Sequence, residues 1–101
     1  MPNRMYVVTY EIPGATNLNL RRKITEAIKA TGNWWHHVEF SWLVVADKTA
    51  SDIAEEITPH IREANGTLLV MQVEPSNRQG LLPGNGWKWI RTWANRFKGA
   101  P

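Results

Sequence analysis

Two spacings of apolar residues take turns along this chain. Met5-Tyr6-Val7-Val8-Thr9-Tyr10-Glu11-Ile12 is rich in β-branched and aromatic residues and stops at Pro13-Gly14, which predicts a strand ended by a turn. Leu20, Ile24, Ala27, Ile28 and Thr31 then recur at helical spacing, predicting a helix capped by Asn17 and running to Ala30 or Thr31. Arg22 and Glu26 fall on its opposite side, and Gly32 stands where a C′ glycine closes a helix. Trp34 to Val38 and Trp42 to Ala46 read as strands joined by a tight turn around Glu39-Phe40-Ser41. Thr49 with Asp52 forms a capping box for a second helix, whose apolar stripe is Ala50, Ile53, Ile57, Ile61 and Ala64. Pro59 interrupts that stripe and predicts a kink, or a break after Ile57. Asn65-Gly66 turns the chain into Thr67–Glu74, a strand apolar enough for burial on both faces.

Strand, helix, strand, strand, helix, strand is the order of a ferredoxin-like βαββαβ sandwich, an α+β fold. Right-handed crossovers then predict the sheet order 4-1-3-2 with both helices on one face. Residues 75–86 are a loop, broken by Pro75, Gly80, Pro83, Gly84, Asn85 and Gly86. Beyond it, capped by Asn85, a third helix is predicted over 87–98, with Trp87, Ile90, Trp93, Ala94 and Phe97 on one side and Trp89 at its edge. The whole is one domain, with its core in residues 5–74.

Composition narrows the class. No apolar run is long enough for a bilayer, and Met1–Tyr6 leads straight into a strand without the pattern of a signal peptide, so a cytoplasmic protein without membrane attachment is expected. Cysteine is absent, which removes disulfides, thiolate nucleophiles and thiolate metal ligands. Without a secretion signal, Asn65-Gly66-Thr67 reads as a turn rather than a glycosylation site. Charge is unevenly placed: residues 1–74 hold seven Lys/Arg against nine Asp/Glu, a balance of −2, whereas residues 75–101 hold five basic residues and no acid. Those five are Arg78, Lys88, Arg91, Arg96 and Lys98. Such a tail meets either an anionic partner or the acidic body of its own or a neighbouring chain, where Asp52, Glu55, Glu56 and Glu63 lie.

Candidate chemistry is sparse. The glycines of the loop match neither a P-loop nor a dinucleotide fingerprint. Ser41 is not in a nucleophile elbow, so no hydrolase triad is indicated. Glu11, at the end of the first strand, can serve magnesium only if a partner chain brings a second carboxylate; otherwise it is a solvated strand-end charge. His37 and Glu39 would share one strand face and His36 the other, an incomplete set for zinc; His60 would add a third ligand, but nothing in the sequence brings it close. Six tryptophans are many for 101 residues. One of Trp34 and Trp35 must leave the helix-covered face, either for a partner surface, together with Trp42, or to be covered by the third helix. Aromatics interleaved with basic residues also suit stacking on unpaired bases.

Met5–Ile12, Gly32-Asn33-Trp34-Trp35-His36, Ser41-Trp42-Leu43-Val44 and Leu68-Leu69-Val70 together resemble the small CRISPR-associated adaptation subunit that partners the integrase, and the virulence-associated protein D toxins. A set of short uncharacterised bacterial proteins related to both, with Trp-Trp-His followed by a Trp-Leu-Val strand, is more similar still. The resemblance covers about residues 5–74 and implies a ferredoxin-like fold and a homodimer. Some members of that family are metal-dependent nucleases and others are scaffolds. Their metal-binding aspartate matches Glu11 here, one methylene longer, which counts against nuclease activity. The expectation is therefore a dimeric, non-enzymatic module needing no cofactor. It contacts DNA or RNA through Lys88, Arg91, Arg96 and Lys98, joined by Arg21 and Arg22, with Trp34, Trp35 and Trp42 at an interface. The alternatives are a magnesium-dependent nuclease using Glu11 from both chains, and a protein–protein adaptor.

Overall fold

Strands β1 (Arg4–Glu11), β2 (Asn33–Val38), β3 (Ser41–Ala46) and β4 (Thr67–Val73) alternate with helices α1 (Leu18–Lys29) and α2 (Ala50–Glu63), and a third helix, α3 (Gly86–Gly99), follows. This is a computed structural model that describes residues 2–13 and 18–99, with side chains as far as Phe97. The predicted turn glycine Gly14, the predicted cap Asn17 and the Lys98 side chain lie outside the described residues. The strands form one antiparallel sheet in the order β2-β3-β1-β4, which counted from the β4 edge is 4-1-3-2. Each helical crossover skips one strand: β3 lies between β1 and β2, and β1 lies between β3 and β4.

Alternation in the strands sorts the core. Tyr6, Val8 and Tyr10 of β1 and Trp42, Val44 and Ala46 of β3 face α1 and α2, where Ile24, Ile28, Ile53, Ile57 and Ile61 meet them. The opposite residues, Met5 and Val45, are buried on the other side of the sheet, beneath α3 with its buried Ile90 and Ala94. Trp35 joins this second layer. Its indole Nε1 donates to the Gly86 carbonyl at 2.7 Å and pins the start of α3 to β2. The tryptophan required to leave the helix-covered face is therefore Trp35, and the chain covers it with its own third helix.

Three local expectations need correction. Helix α2 runs on through Pro59, without the break after Ile57 that is the alternative to a kink. Pro59 and Glu55 are both exposed, so the carbonyl that loses its N–H partner stays within reach of water. Thr58 Oγ1 also donates to the Ala54 carbonyl at 2.6 Å, which supports the same turn. Replacing Pro59 by Ala restores the missing bond, and a gain of about 1–3 kcal/mol in urea unfolding is expected. No gain would mean that the helix has fully absorbed the proline.

Gly32 does not close α1 in a left-handed conformation. Its role is spatial: a Cβ there would lie 2.4 Å from the Val45 carbonyl oxygen. The left-handed residue is Asn65, at φ 56°, after α2. Gly66 N–H donates to the Ile61 carbonyl at 2.9 Å and Asn65 N–H to Arg62 at 3.0 Å, a Schellman closure.

The β2–β3 hairpin turns on two residues, Glu39 and Phe40, and carries an irregularity between Trp35 and Val38. One extra residue of β2 is accommodated there and Glu39 lies in the turn, so Glu39 does not share a strand face with His37, whereas His36, against Trp42, and His37, against Trp35, do take opposite faces as expected.

Candidate nucleic-acid interface

Helix α3 begins at Gly86, where Asn85 contributes its carbonyl, accepting from Lys88 N–H at 3.1 Å. Ile90 and Ala94 are buried against the sheet, while Trp87, Trp89, Trp93 and Phe97 are half-buried along the flanks. Lys88, Arg91, Thr92, Asn95 and Arg96 are exposed. Helical spacing accounts for this split: docking the Ile90–Ala94 stripe turns positions 88, 91 and 95 away. Rings at i and i+4 meet along one flank. Trp89 and Trp93 lie 6.4 Å apart and Trp93 and Phe97 5.9 Å apart, and the Arg96 guanidinium sits 4.7 Å above the Trp93 ring.

Two recesses flank this helix. One, about 560 Å³, lies where the start of β1 and the end of β4 meet α3, and is lined by Arg4, Met5, Glu74, Trp93, Arg96 and Phe97 among others. The second, about 340 Å³, lies between the 75–86 loop and the first turns of α3, and is lined by Ser76, Arg78, Gln79, Trp87 and Arg91. Each holds two arginines and at least one half-buried ring. Glu74 is the acid of the first recess, and its carboxylate accepts from the Ser76 amide at 3.1 Å and from the Ser76 hydroxyl. Among the described residues, the ion pairs are Arg21–Glu39, Lys23–Glu63 and Lys48–Glu56, so Arg4, Lys88, Arg91 and Arg96 are in none of them.

The remaining candidates are dispersed. Arg21 lies 3.6 Å from Glu39 and over the Phe40 ring, and Arg22 is exposed on α1. Helix α1 covers the face opposite α3, so the sheet separates Arg21 and Arg22 from the basic side of α3 and the structure does not unite them. The acidic helix α2 is on that opposite face too, and among the described residues none of its carboxylates pairs with Arg78, Lys88, Arg91 or Arg96. Glu11 is exposed at the far end of β1, in a groove shared with Thr9, Phe40, Thr67 and Leu69. His36 Nε2 is 2.7 Å from the Glu39 carbonyl and its ring stacks on Trp42, whereas His37 lies beside Trp35. Among the described residues, no group of three or more His, Asp or Glu can hold a metal ion. No helix among them is long and apolar enough to cross a membrane.

Of the three tryptophans expected at an interface, Trp42 and Trp35 are buried within the chain and only Trp34 presents surface, 43% exposed beneath the Lys29 ammonium. Trp42 belongs to the helix-side core and Trp35 to the layer under α3, so neither has area left for a partner. Arg4 and Arg78 went unrecognised as cleft residues because nothing local marks them. Arg4 reaches the site only through the pairing of β1 with β4, in which Met5 opposes Val73.

Compared with protein-family models, with curated proteins and with solved structures, the chain matches none.

Proposed function

We propose that this protein is a non-enzymatic nucleic-acid-binding module that uses the outer side of α3. The observation carrying this reading is that Lys88, Arg91 and Arg96 are exposed, free of ion pairs among the described residues, and mounted on a helix whose opposite side is fixed in the core. Phosphates neutralised there release counterions, at about −0.9 in the slope of log affinity against log salt per contact on a duplex. Three or four contacts correspond to a slope of roughly −3. Filter binding between ~50 and 200 mM salt measures it. The Lys88→Ala/Arg91→Ala double variant is expected to flatten the slope by about 2 units. Absence of any binding by the parent protein at the lowest salt would sink the reading, and the basic side would then belong to a protein interface.

The proposal includes a homodimer on a ferredoxin-like sandwich, the reading supported by the two split crossovers. Helix α3 covers only part of its sheet face; Leu69 and Met71 remain 49% and 52% exposed on edge strand β4, with Val7 and Leu43 half-buried beside them. Contiguous apolar surface of this kind marks an interaction site. Light scattering at tens of micromolar is expected to give twice the chain mass, and Leu69→Asp/Met71→Asp to give the single mass. A parent protein that is monomeric there excludes the dimer.

Among the described residues, no second carboxylate of its own chain lines the Glu11 groove, and the Glu11 side chain is one methylene longer than the aspartate it matches. On that departure, magnesium or manganese is expected to yield no cleavage of DNA or RNA. Cleavage that Glu11→Gln abolishes would replace this reading with the nuclease one.

A further inference from the structure

We infer that the two recesses flanking α3 receive unpaired bases, so that the partner is a single-stranded nucleic acid rather than a duplex. This rests on the reading of α3 as the nucleic-acid-binding element. A duplex offers its backbone to a convex basic surface such as the Lys88–Arg91 side, and its base faces are hidden in the stack. It has no use for concave sites lined by aromatic rings. Both recesses here are of that kind: Trp93 and Phe97 with Arg4 and Arg96 in one, Trp87 with Arg78 and Arg91 in the other.

The volume of the larger, about 560 Å³, lies within the range of small-ligand sites and admits a planar base. Its one carboxylate, Glu74, is turned to the Ser76 amide and hydroxyl, which leaves the two arginines to meet a phosphate. The Arg96 guanidinium carbon already sits 4.7 Å from the centre of the Trp93 ring, so this ring carries a cation on one face. A base stacks on the same ring or on the guanidinium itself. Trp87 and Trp93 are six residues apart, about 9 Å along the helix axis and about 120° apart around it, so one strand that fills both recesses must cross the helix between them.

The test uses fluorescence anisotropy with labelled ten-nucleotide dT and rU strands, a blunt DNA duplex of ten base pairs, and a mononucleotide as competitor. The strands are expected to bind more tightly than the duplex, and the mononucleotide to compete only weakly. Trp93→Leu retains apolar bulk without a ring, and its thermal melt reports whether the fold survives. It is expected to weaken strand binding about ten- to a hundredfold, the size of one base–aromatic stack, with the salt slope unchanged. Trp87→Leu tests the other recess in the same way, and stands alone if Trp93→Leu fails to fold. Strand and duplex binding equally, with both variants unchanged, overturns the single-strand inference while leaving the basic-helix reading intact. A mononucleotide that binds as tightly as the strands overturns it as well. If neither strand nor duplex binds at low salt, the underlying reading fails and this inference with it. The dT and rU arms assign DNA or RNA as the source of the bases.

Discussion

Trp42→Ala is expected to destabilise the protein by about 3–5 kcal/mol, roughly a fifth or more of the stability of an ordinary small domain. Trp42 is 1% exposed and is the second residue of β3, paired in register with Val8 of β1. It faces α1 and α2, with the His36 ring stacked on it at 3.8 Å and Trp34 at 5.6 Å. Truncation would leave a cavity bounded by strand backbone, which relaxes poorly, so the transfer and cavity terms add. Trp42→Phe separates packing from polarity. The indole Nε1 has no hydrogen-bond partner among the described residues, an unmet donor that works against the fold. Removing that donor offsets part of the lost volume, and the phenylalanine variant is expected to stay within about 1 kcal/mol of the parent. Chemical denaturation of the two variants side by side checks this. Equal losses in both would show that the indole is stabilised through its N–H after all.

Gly32→Ala is expected to cost about 3 kcal/mol, far above the usual effect of glycine to alanine on a surface. The new methyl would lie 2.4 Å from the Val45 carbonyl oxygen and 3.0 Å from the Ala46 Cβ. Both obstacles belong to β3, a strand held on its other side by β1, so β2 must move outward. The first β2–β3 pair, Asn33 with Val45, is adjacent and would be strained first. Hydrogen exchange in the variant should therefore show faster exchange of the β2–β3 amides than of the β1–β4 amides. A variant within 0.5 kcal/mol of the parent by urea unfolding, well inside the overpacking range, would show that the entry to β2 yields easily.

The order of elements, the apolar stripes of α1 and α2, the capping box at Thr49 and the separation of Lys88 and Arg91 from Ile90 and Ala94 were all legible in the chain. Each depends on neighbours within a turn or a strand: helical spacing fixes which side chains share a face, and alternation does the same in a sheet. The Thr49–Asp52 box is likewise a contact across three residues, present here in both directions.

What the sequence left open depended on contacts between distant segments. Whether Trp34 or Trp35 turned from the helices was set by register, since Trp34 opposes Val44 while Trp35 opposes Leu43. Gly32 looked like a helix stop because glycine serves that role through its own dihedral angles, yet its need here arises from the Val45 carbonyl 13 residues away in sequence. The tolerance of Pro59 depended on which side of α2 faced water. The recesses beside α3 are the extreme case. Arg4 and Arg96 stand 92 positions apart, and only the pairing of β1 with β4, capped by α3, brings them to the same wall. Local spacing determined what each segment is and which side chains it offers together. The folding of the third helix back over the sheet decided which of them share a site, because that juxtaposition is a product of tertiary packing and has no periodicity to read.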